Sequence, residues 1–137
     1  MGQIQKDFMA WARIKIWLQA RHGPRFFYER EIWWAAIGHN VGNEEDGKGS
    51  RCARPVLILR KFNKKLFWGV PLSTAERDGL YYVSFRYTQK RASTAILSQL
   101  RAYDSRRLLA KDGVISELDF TRIQLGLVHI IKNFAQK

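Results

Sequence analysis

Apolar residues recur at helical spacing near both ends of the chain. The first stripe consists of Ile4, Phe8, Trp11, Ile14 and Leu18. Steps of three and four residues predict an amphipathic helix over residues 4–20, which Gly23-Pro24 ends. The second stripe follows Ser116, a predicted N-cap with Asp119 three residues on. It consists of Phe120, Ile123, Leu127, Ile130 or Ile131, and Phe134. We therefore predict one helix at each end of the sequence.

Between these helices lie short runs of β-forming residues separated by turn signals. The predicted strands are residues 31–37, 55–60, 66–70, 80–86 and 92–97. We expect Pro55 at the first position of its strand, where a missing N–H costs least, and Pro71 at the end of the third strand. Asn63-Lys64 is expected to form a hairpin turn, and residues 100–109 a short helical or strand segment. Five short strands predict an α+β fold with a strongly bent, barrel-like sheet.

Residues 38–54 differ in composition from the runs on either side, since they are polar and rich in glycine. A loop of this length inside a compact domain is usually functional or disordered. At 137 residues and 46% hydrophobic content, the chain is long enough for one domain with its own core. The sequence thus predicts one compact domain interrupted by a long loop that is either functional or disordered.

Charge and cysteine content narrow the class of protein. There are 24 Lys and Arg residues against 12 Asp and Glu, a formal net charge of +12. Such an excess favours an anionic partner, a nucleic acid or an acidic protein, although a merely solvated surface is the alternative. Cys52, the single cysteine, excludes a disulfide scaffold. Without a long apolar run or a signal-like N-terminus, we expect a cytoplasmic protein with no membrane partner.

The sequence offers few ligands for a metal or a cofactor. His22, His39 and His129 are scattered, and Cys52 has no second ligand at metal-binding spacing. His129 is expected on a helix face or in the core. Phosphate-binding glycine loops and a nucleophile-elbow motif are also absent from the sequence. We therefore expect neither a metal nor a cofactor.

Polar residues gather where the predicted strands end. They are Arg54, Ser73, Thr74, Gln99, Arg101, Asp104, Arg106 and Arg107. An arginine supplies charge and bidentate donors for phosphate, and a hydroxyl supplies another donor, as cleavage of RNA requires. The same set would also suit a surface ion-pair cluster. In that case Arg54 would anchor the loop through Glu44 or Glu45, and Ser73 would cap a turn.

Three segments in a fixed order resemble the MazF/PemK toxin family. They are Arg54-Pro-Val-Leu-Ile-Leu59, Trp68-Gly-Val-Pro-Leu-Ser-Thr74, and the run from Ile96 through Gln99, Arg101 and Asp104 to Leu108. The loop Gly42-Asn-Glu-Glu-Asp-Gly47 and the strand Glu31-Ile-Trp33 are similar to the family's upstream segments. The resemblance covers roughly residues 29–135. It divides the single domain 1–137 into an N-terminal extension, residues 1–28, and a barrel with a C-terminal helix, residues 29–137.

The resemblance implies a homodimeric SH3-like barrel that acts as a sequence-specific, metal-independent endoribonuclease on single-stranded RNA. The 2′-hydroxyl would attack the adjacent phosphate, and an acidic cognate antitoxin would block the groove. Arg54 matches the catalytic arginine, an acid–base group and phosphate stabiliser, and Ser73 matches a catalytic threonine. Implied substrate-binding residues are Glu44, Thr74, Gln99 and Arg101, with Lys48 and Arg51 added by a longer loop.

Departures from the family pattern leave other functions open. Ser98 stands where many members carry an acidic residue, and the helix over residues 4–20 is an addition that we expect to pack on the barrel. One alternative is a non-catalytic module that binds single strands by stacking bases on Tyr81, Tyr82 or Phe85. The other is a toxin of the same fold that acts on DNA gyrase.

Overall fold

The structure, a computed structural model, describes residues 6–88 and 92–133 of the chain. Two helices flank seven strands in these residues. The elements are α1 (Phe8–Ala20), β1 (Glu31–Ala36), β2 (Ala53–Lys61), β3 (Leu66–Ser73), β4 (Tyr82–Phe85), β5 (Ser93–Ile96), β6 (Arg101–Asp104), β7 (Leu108–Val114) and α2 (Glu117–Lys132). The predicted α+β class and the terminal helices are confirmed.

All seven strands belong to one antiparallel sheet. Its order is β4-β5-β3-β2-β1-β7, and β6 pairs with the first half of β3 beside this path. Strand β3 therefore changes partner along its length, from β6 at Leu66–Gly69 to β5 at Leu72–Ser73. Within the described residues the sheet is bent like a barrel but remains open, with β4 and β7 at its ends.

The alternation of side chains along the central strands produces a core on each face of the sheet. Leu57, Leu59, Val70 and Leu72 point to the face that α2 covers with Phe120 and Ile123. The other face buries a second cluster. Its members are Phe27, Trp33, Ala35, Ile37, Val56, Ile58, Phe67, Tyr103 and Leu108. The central strands β2 and β3 are therefore buried on both faces over much of their length.

Helix α1 begins later than predicted and packs on the domain. Asp7 caps it by accepting a hydrogen bond from the Ala10 amide at 2.8 Å. Trp11 and Leu18 are buried against Ala36 and Cys52 at one end of the sheet. The prediction for Phe8 is wrong, since its ring is exposed because the stripe meets the sheet only from Trp11 onward. Ile4 lies outside the described residues.

Two strands extend beyond their predicted ends at proline. Strand β2 begins at Ala53, so Pro55 is its third residue and pairs with Trp34. Strand β3 runs to Ser73 through Pro71, which pairs with Val56. On the other side of β3, Pro71 falls between the segment paired with β6 and the segment paired with β5. A residue without an N–H fits such a gap, which explains why it does not end the strand.

The C-terminal part contains both a confirmed element and a missed one. Helix α2 is confirmed, since the Ser116 hydroxyl accepts a hydrogen bond from the Asp119 amide at 3.1 Å. Residues 100–109, predicted to hold a short helical or strand segment, contain the short strand β6, a 3-10 turn and the start of β7, which was not predicted. Phe134 lies outside the described residues. Among those residues, neither helix has the length and apolar content needed to cross a bilayer.

Candidate functional site

Two cavities lie where the glycine-rich loop meets the ends of β2 and β3. One, of about 950 Å³, is lined by Arg54, Ser73, Thr74 and Lys48, among others. The second, of about 530 Å³, is lined by Glu44, Ser98, Gln99, Arg101 and Tyr103, among others. Glu45 lines both cavities, so the loop contributes to each. We call the first the arginine cavity and the second the glutamine cavity.

Arg54 is held firmly in the wall of the arginine cavity. Its Nε donates to the Asp46 carbonyl at 2.8 Å, and Nη1 donates to the Leu72 carbonyl at 3.1 Å. Its Nη2 lies 3.2 Å from the Glu45 carboxylate, and the side chain is only 14% exposed. These three contacts leave two of the five guanidinium N–H groups without a partner among the described residues. An anion in the cavity would meet a positive charge whose position is already fixed.

Ser73 lies next to Arg54 because of the β2–β3 register. Val56 pairs with Pro71, and the antiparallel register, continued by two residues in each strand, brings Arg54 opposite Ser73. The Ser73 Oγ accepts a hydrogen bond from the Ala75 amide at 3.1 Å. The hydroxyl hydrogen therefore remains able to donate to a ligand, while Thr74 beside it is exposed. This turn-capping bond is also the contact that a purely structural serine would make.

The loop is ordered by its own polar groups. The Asn40 amide donates to the Asp46 carboxylate at 2.7 Å, and its Nδ2 donates to the carbonyls of Ile37 and Glu45. The Gly47 amide donates to the Gly38 carbonyl at 2.8 Å. Residues 38–47 of the loop are thus fixed from within, which explains how so polar a segment can position Glu45.

The N-terminal extension also holds the loop. Gly38 has φ +94°, and a Cβ at this position would lie 2.1 Å from the Trp11 ring, so only glycine fits against α1. The Lys6 ammonium donates to the carbonyls of Asn40 and Gly42 and lies 3.2 Å from the Asp46 carboxylate. The extension packs on the domain as expected, and its contact falls on the loop that carries Glu44 and Glu45.

Gln99 joins the glutamine cavity to the same loop. Its Nε2 donates to the Asn43 carbonyl and its Oε1 accepts from the Glu45 amide, both at 3.3 Å. Arg101 is exposed, and its guanidinium carbon lies 4.8 Å from the centre of the Tyr103 ring. Burial raises the pKa of Tyr103 to about 12, against the opposing effect of Arg101, Arg107 and Arg54. The phenol therefore stays neutral, and Arg101 supplies an exposed positive charge in this cavity.

Other polar residues predicted near the site serve elsewhere. Arg106 binds the Asp104 carboxylate through Nε at 2.9 Å and Nη2 at 3.0 Å, and also donates to the Gln19 carbonyl of α1. Arg107 donates to the Ala36 carbonyl, and its burial lowers its pKa. The structure therefore does not bring Asp104, Arg106 and Arg107 into either cavity, because α1 covers that part of the strand end.

The two loop cations named from the sequence have different positions. Lys48 lines the arginine cavity. Arg51 lies over the Trp17 ring of α1, with its guanidinium carbon 3.9 Å from the ring centre, and lines neither cavity. This cation–π contact with the extension gives Arg51 a structural partner that the sequence did not reveal.

Of the three aromatic residues considered for stacking, one is in the core. Phe85 is 5% exposed and packs with Tyr87, so its prediction as a stacking residue is wrong. Tyr82 is half-buried and carries the Arg77 guanidinium over its ring at 5.6 Å, while Tyr81 is exposed. In residues 6–88 and 92–133, no group of three or more His, Cys, Asp or Glu side chains could hold a metal ion.

Glu45 and Lys6 are the two residues whose importance the sequence understated. From the sequence, Glu45 is only one of two possible ion-pair partners of Arg54, because adjacent glutamates in a loop cannot be told apart by pattern. Lys6 precedes the helix that was expected merely to pack. Its contacts with the loop span more than 30 residues of sequence, so only the tertiary structure reveals them.

A sequence model of one protein family matches most of the chain. The family is described as PemK-like, MazF-like toxins of type II toxin–antitoxin systems, and the match covers residues 28–131. Residues 1–27, which include α1, lie outside the matched range. A search of curated proteins found no match.

Solved structures with the same fold support this similarity. MazF from Deinococcus radiodurans superposes with a TM-score of 0.61 and 13% identity, over 81% of this chain and 98% of that one. The Mycobacterium tuberculosis toxin MazF-mt6 gives 0.58 and 16%, over 74% and 96%. A MazE–MazF structure from Deinococcus radiodurans gives 0.56 and 10%, over 82% and 98%. At identities of 10–16%, the similarity to these structures shows a shared fold.

Proposed function

Because the chain belongs to the family of PemK-like, MazF-like toxins of type II toxin–antitoxin systems, we propose that it is a sequence-specific, metal-independent endoribonuclease acting on single-stranded RNA. One observation carries this proposal. Arg54 and Ser73 line the same cavity, each held by the protein and each with a donor left for a phosphate. A pure binding module does not need a hydroxyl beside a fixed guanidinium.

Arg54 would bind the scissile phosphate. Negative charge on its oxygens increases when the 2′-hydroxyl attacks, and a preorganised guanidinium stabilises that charge without moving. The Asp46 and Leu72 carbonyls fix its orientation from behind. Ser73 would add a second donor to the same phosphate. The two residues together would replace hydrogen bonds from water that the phosphate loses when it enters the cavity.

Glu45 would move the proton. It is the carboxylate that contacts Arg54 and lines both cavities. In the proposed reaction Glu45 accepts the proton of the 2′-hydroxyl, the 2′-oxygen forms a bond to phosphorus, and the bond to the 5′-oxygen breaks. The 5′-oxygen takes up a proton from water, and Glu45 releases the proton it accepted to water, so the products are a 2′,3′-cyclic phosphate and a 5′-hydroxyl. Arg54 stays protonated throughout.

Around this centre the remaining polar residues would bind the strand. The arginine cavity offers Lys48 and Thr74, and the glutamine cavity offers Glu44, Gln99 and Arg101. Arg51 would reach RNA only by leaving the Trp17 ring. Choice of cleavage sequence would depend on the shape of these two cavities, since base edges are distinguished by nearby hydrogen-bonding groups.

The partners follow from the family and the charge. The solved MazE–MazF complex is similar to this chain, and we propose a cognate acidic antitoxin here, since a net charge of +12 suits an acidic segment that folds on binding. We also propose a homodimer that acts in the cytoplasm. In it residues 1–28 form an extension to the barrel and C-terminal helix of residues 29–137.

The test is cleavage of a long single-stranded RNA in EDTA by the wild type, Arg54→Ala and Arg60→Ala. Arg60 is an exposed arginine on the same strand and serves as the matched control. We expect discrete fragments with 2′,3′-cyclic phosphate ends from the wild type and Arg60→Ala, and a loss of at least about 100-fold in Arg54→Ala. If the wild type bound the RNA but left it intact, the proposal would be contradicted and a binding module would be favoured. Intact RNA without binding would favour a protein target such as gyrase.

A further inference from the structure

A second basic surface lies away from both cavities, between the end of α1 and the β2–β3 hairpin. Its cavity measures about 810 Å³, and we call it the basic groove. The lining side chains used below are Arg25, Phe26, Tyr28, Lys61, Lys64 and Lys65. None of the described residues lining the groove is an aspartate or a glutamate. Its composition therefore favours an anionic ligand.

Several of these cations have no partner of opposite charge. Arg25, Lys64 and Lys65 are exposed and form no ion pair within the described residues. Arg106 at the edge of the groove differs, since the Asp104 carboxylate binds it. Unpaired cations gathered on one surface repel each other, and an anion that neutralises them removes that cost.

Two aromatic rings are displayed beside the cations. Phe26 and Tyr28 are 60% and 53% exposed, and their planes differ by only 6° at a centroid distance of 6.5 Å. The Lys61 ammonium lies 4.9 Å from the centre of the Tyr28 ring, and the Arg25 guanidinium carbon lies 5.4 Å from that of Phe26. Each exposed ring is thus coupled to a positive charge, an arrangement that suits a base attached to a phosphate.

The groove is held in shape by main-chain contacts. Gly23 passes so close to Ser105 that a Cβ would lie 2.7 Å from its carbonyl oxygen. In the hairpin, the Asn63 side chain accepts from the amides of Lys65 and Leu66 at 2.8 and 3.0 Å, which fixes the turn. The Lys61 ammonium donates to the Phe27 carbonyl at 2.9 Å, so the hairpin is tied to the aromatic segment.

We propose that the basic groove binds single-stranded RNA through its phosphates and through stacking of unpaired bases on Phe26 and Tyr28. Cations alone would serve any polyanion. Exposed, nearly parallel rings between them select a strand whose bases are free to stack, since the bases of a duplex are already stacked on each other.

This inference rests on the proposed function where it identifies the RNA as the strand to be cut. Strand β6 connects the two regions: Arg101 at its start lines the glutamine cavity, and Ser105 directly after its end lines the groove. Four residues of extended chain cover roughly 13 Å. A few nucleotides on one side of the cleaved bond are enough to reach from one region to the other.

The experiment measures binding of a labelled single-stranded 2′-O-methyl RNA, which lacks the attacking hydroxyl and is not cut. It compares the full-length wild type with Lys64→Glu/Lys65→Glu and Phe26→Leu/Tyr28→Leu. Arg13→Glu/Lys132→Glu removes two other exposed cations and controls for net charge. Circular dichroism melting of each variant verifies that it is folded.

We expect Lys64→Glu/Lys65→Glu to weaken binding at least about ten-fold at low salt and to reduce the salt slope by about 1.4, at about 0.7 per phosphate contact. Phe26→Leu/Tyr28→Leu should weaken binding about ten-fold while leaving the slope unchanged. The control should stay within about two-fold of the wild type. Duplex RNA of the same length should bind the wild type more weakly than single-stranded RNA does. Its affinity should not change in Phe26→Leu/Tyr28→Leu.

Two results would overturn the inference. One is a groove variant that binds single-stranded RNA like the charge control. The other is a wild-type protein that binds duplex RNA as tightly as single-stranded RNA. These failures are distinguishable from failure of the proposed function. A wild type that binds through the groove but does not cleave ordinary RNA contradicts only the ribonuclease, and one that cleaves while the groove variants bind normally contradicts only the groove.

Discussion

The arginine cavity and the basic groove use positive charge in opposite ways. Arg54 is largely buried and touches two carbonyls and a carboxylate of its own chain. Lys64 and Lys65 are exposed and form no ion pair among the described residues. A charge fixed by the protein is suited to stabilising one transition state, because no reorganisation is needed. Free charges are suited to affinity, because they adapt to a flexible polyanion and release its counterions.

The difference lies in what surrounds each cation. The arginine cavity is made by a loop that the N-terminal extension holds in place through Trp11 and Lys6. The groove is made where the same extension joins the barrel, and no carboxylate lines it within the described residues. One addition to the barrel thus has two consequences, a fixed loop on one side and an exposed binding surface on the other.

Glu45→Gln tests whether the fixed arginine acts alone, and it has the largest expected effect. The amide keeps the shape of the side chain but cannot accept the 2′-hydroxyl proton. We expect the rate of RNA cleavage to fall about 100- to 10,000-fold, with affinity for uncleavable RNA nearly unchanged. Single-turnover kinetics measure the rate. Glu76→Gln, on an exposed glutamate outside the cavity lining, is the control. Retention of the wild-type rate would show that Glu45 only holds Arg54.

Ser73→Ala removes the second donor of the arginine cavity. A hydrogen bond to a charged group contributes about 1.5–3 kcal/mol, so the cleavage rate should fall about 10- to 100-fold. Ser73→Thr should remain within a few-fold of the wild type because it keeps the hydroxyl. Equal loss in both variants would indicate that the site responds to packing at this position rather than to the donor.

Lys6→Met tests whether the N-terminal extension helps to order the loop that forms the arginine cavity. The thioether has a similar length but cannot bind the Asn40 and Gly42 carbonyls or the Asp46 carboxylate. We expect about 1 kcal/mol of local destabilisation, seen as roughly five-fold faster hydrogen exchange at the Asn40 and Gly47 amides. Lys15→Met, on the exposed face of α1, should leave exchange unchanged. Unaltered loop exchange in Lys6→Met would mean that the loop orders itself.

Asp104→Asn gives the smallest expected effect and depends on pH. The hydrogen bond from Arg106 lowers the pKa of Asp104. The side chain of Asp104 therefore binds a proton less tightly in the folded chain than in the unfolded chain. Its contribution is present at neutral pH and is lost as the pH falls through the lowered pKa, below about 4. Because the pair is partly exposed, we expect less than about 1 kcal/mol at pH 7.

Thermal melting of the wild type and Asp104→Asn at a series of pH values measures this contribution. The difference in melting temperature should shrink towards zero below about pH 4. A difference that stays constant with pH would show that the ion pair between Asp104 and Arg106 is not its source.

The sequence predicted elements whose signals are local. Helix α2 has a capping serine and a stripe at helical spacing, and both are present in the structure. Strand β7 was missed because its sequence, Leu-Leu-Ala-Lys-Asp-Gly-Val, has no alternation of apolar and polar residues. Among the described residues, β7 pairs with β1 alone and lies at one end of the sheet. Pro71 was misplaced because the rule that proline ends a strand fails where β3 changes partner. Such a gap depends on distant strands.

The site shows the same division. The sequence predicted Arg54 and Ser73 at the ends of neighbouring strands. In the structure both residues line one cavity, as the pairing of β2 with β3 leads one to expect. The contact of Arg51 with Trp17 and that of Lys6 with the loop join residues far apart in sequence. No spacing rule reveals them. The groove was not predicted either, since its cations and rings come from two separate segments that only packing brings together.

The contrast between the arginine cavity and the basic groove is tested most directly by single-turnover cleavage measured at increasing protein concentration. The experiment compares the wild type, Arg54→Ala and Lys64→Glu/Lys65→Glu on one long single-stranded RNA. We predict that Arg54→Ala lowers the maximal rate while the half-saturating concentration stays the same. The groove variant should raise the half-saturating concentration while the maximal rate stays the same. If both variants changed the same constant, the separation between a fixed catalytic charge and a free binding charge would be contradicted.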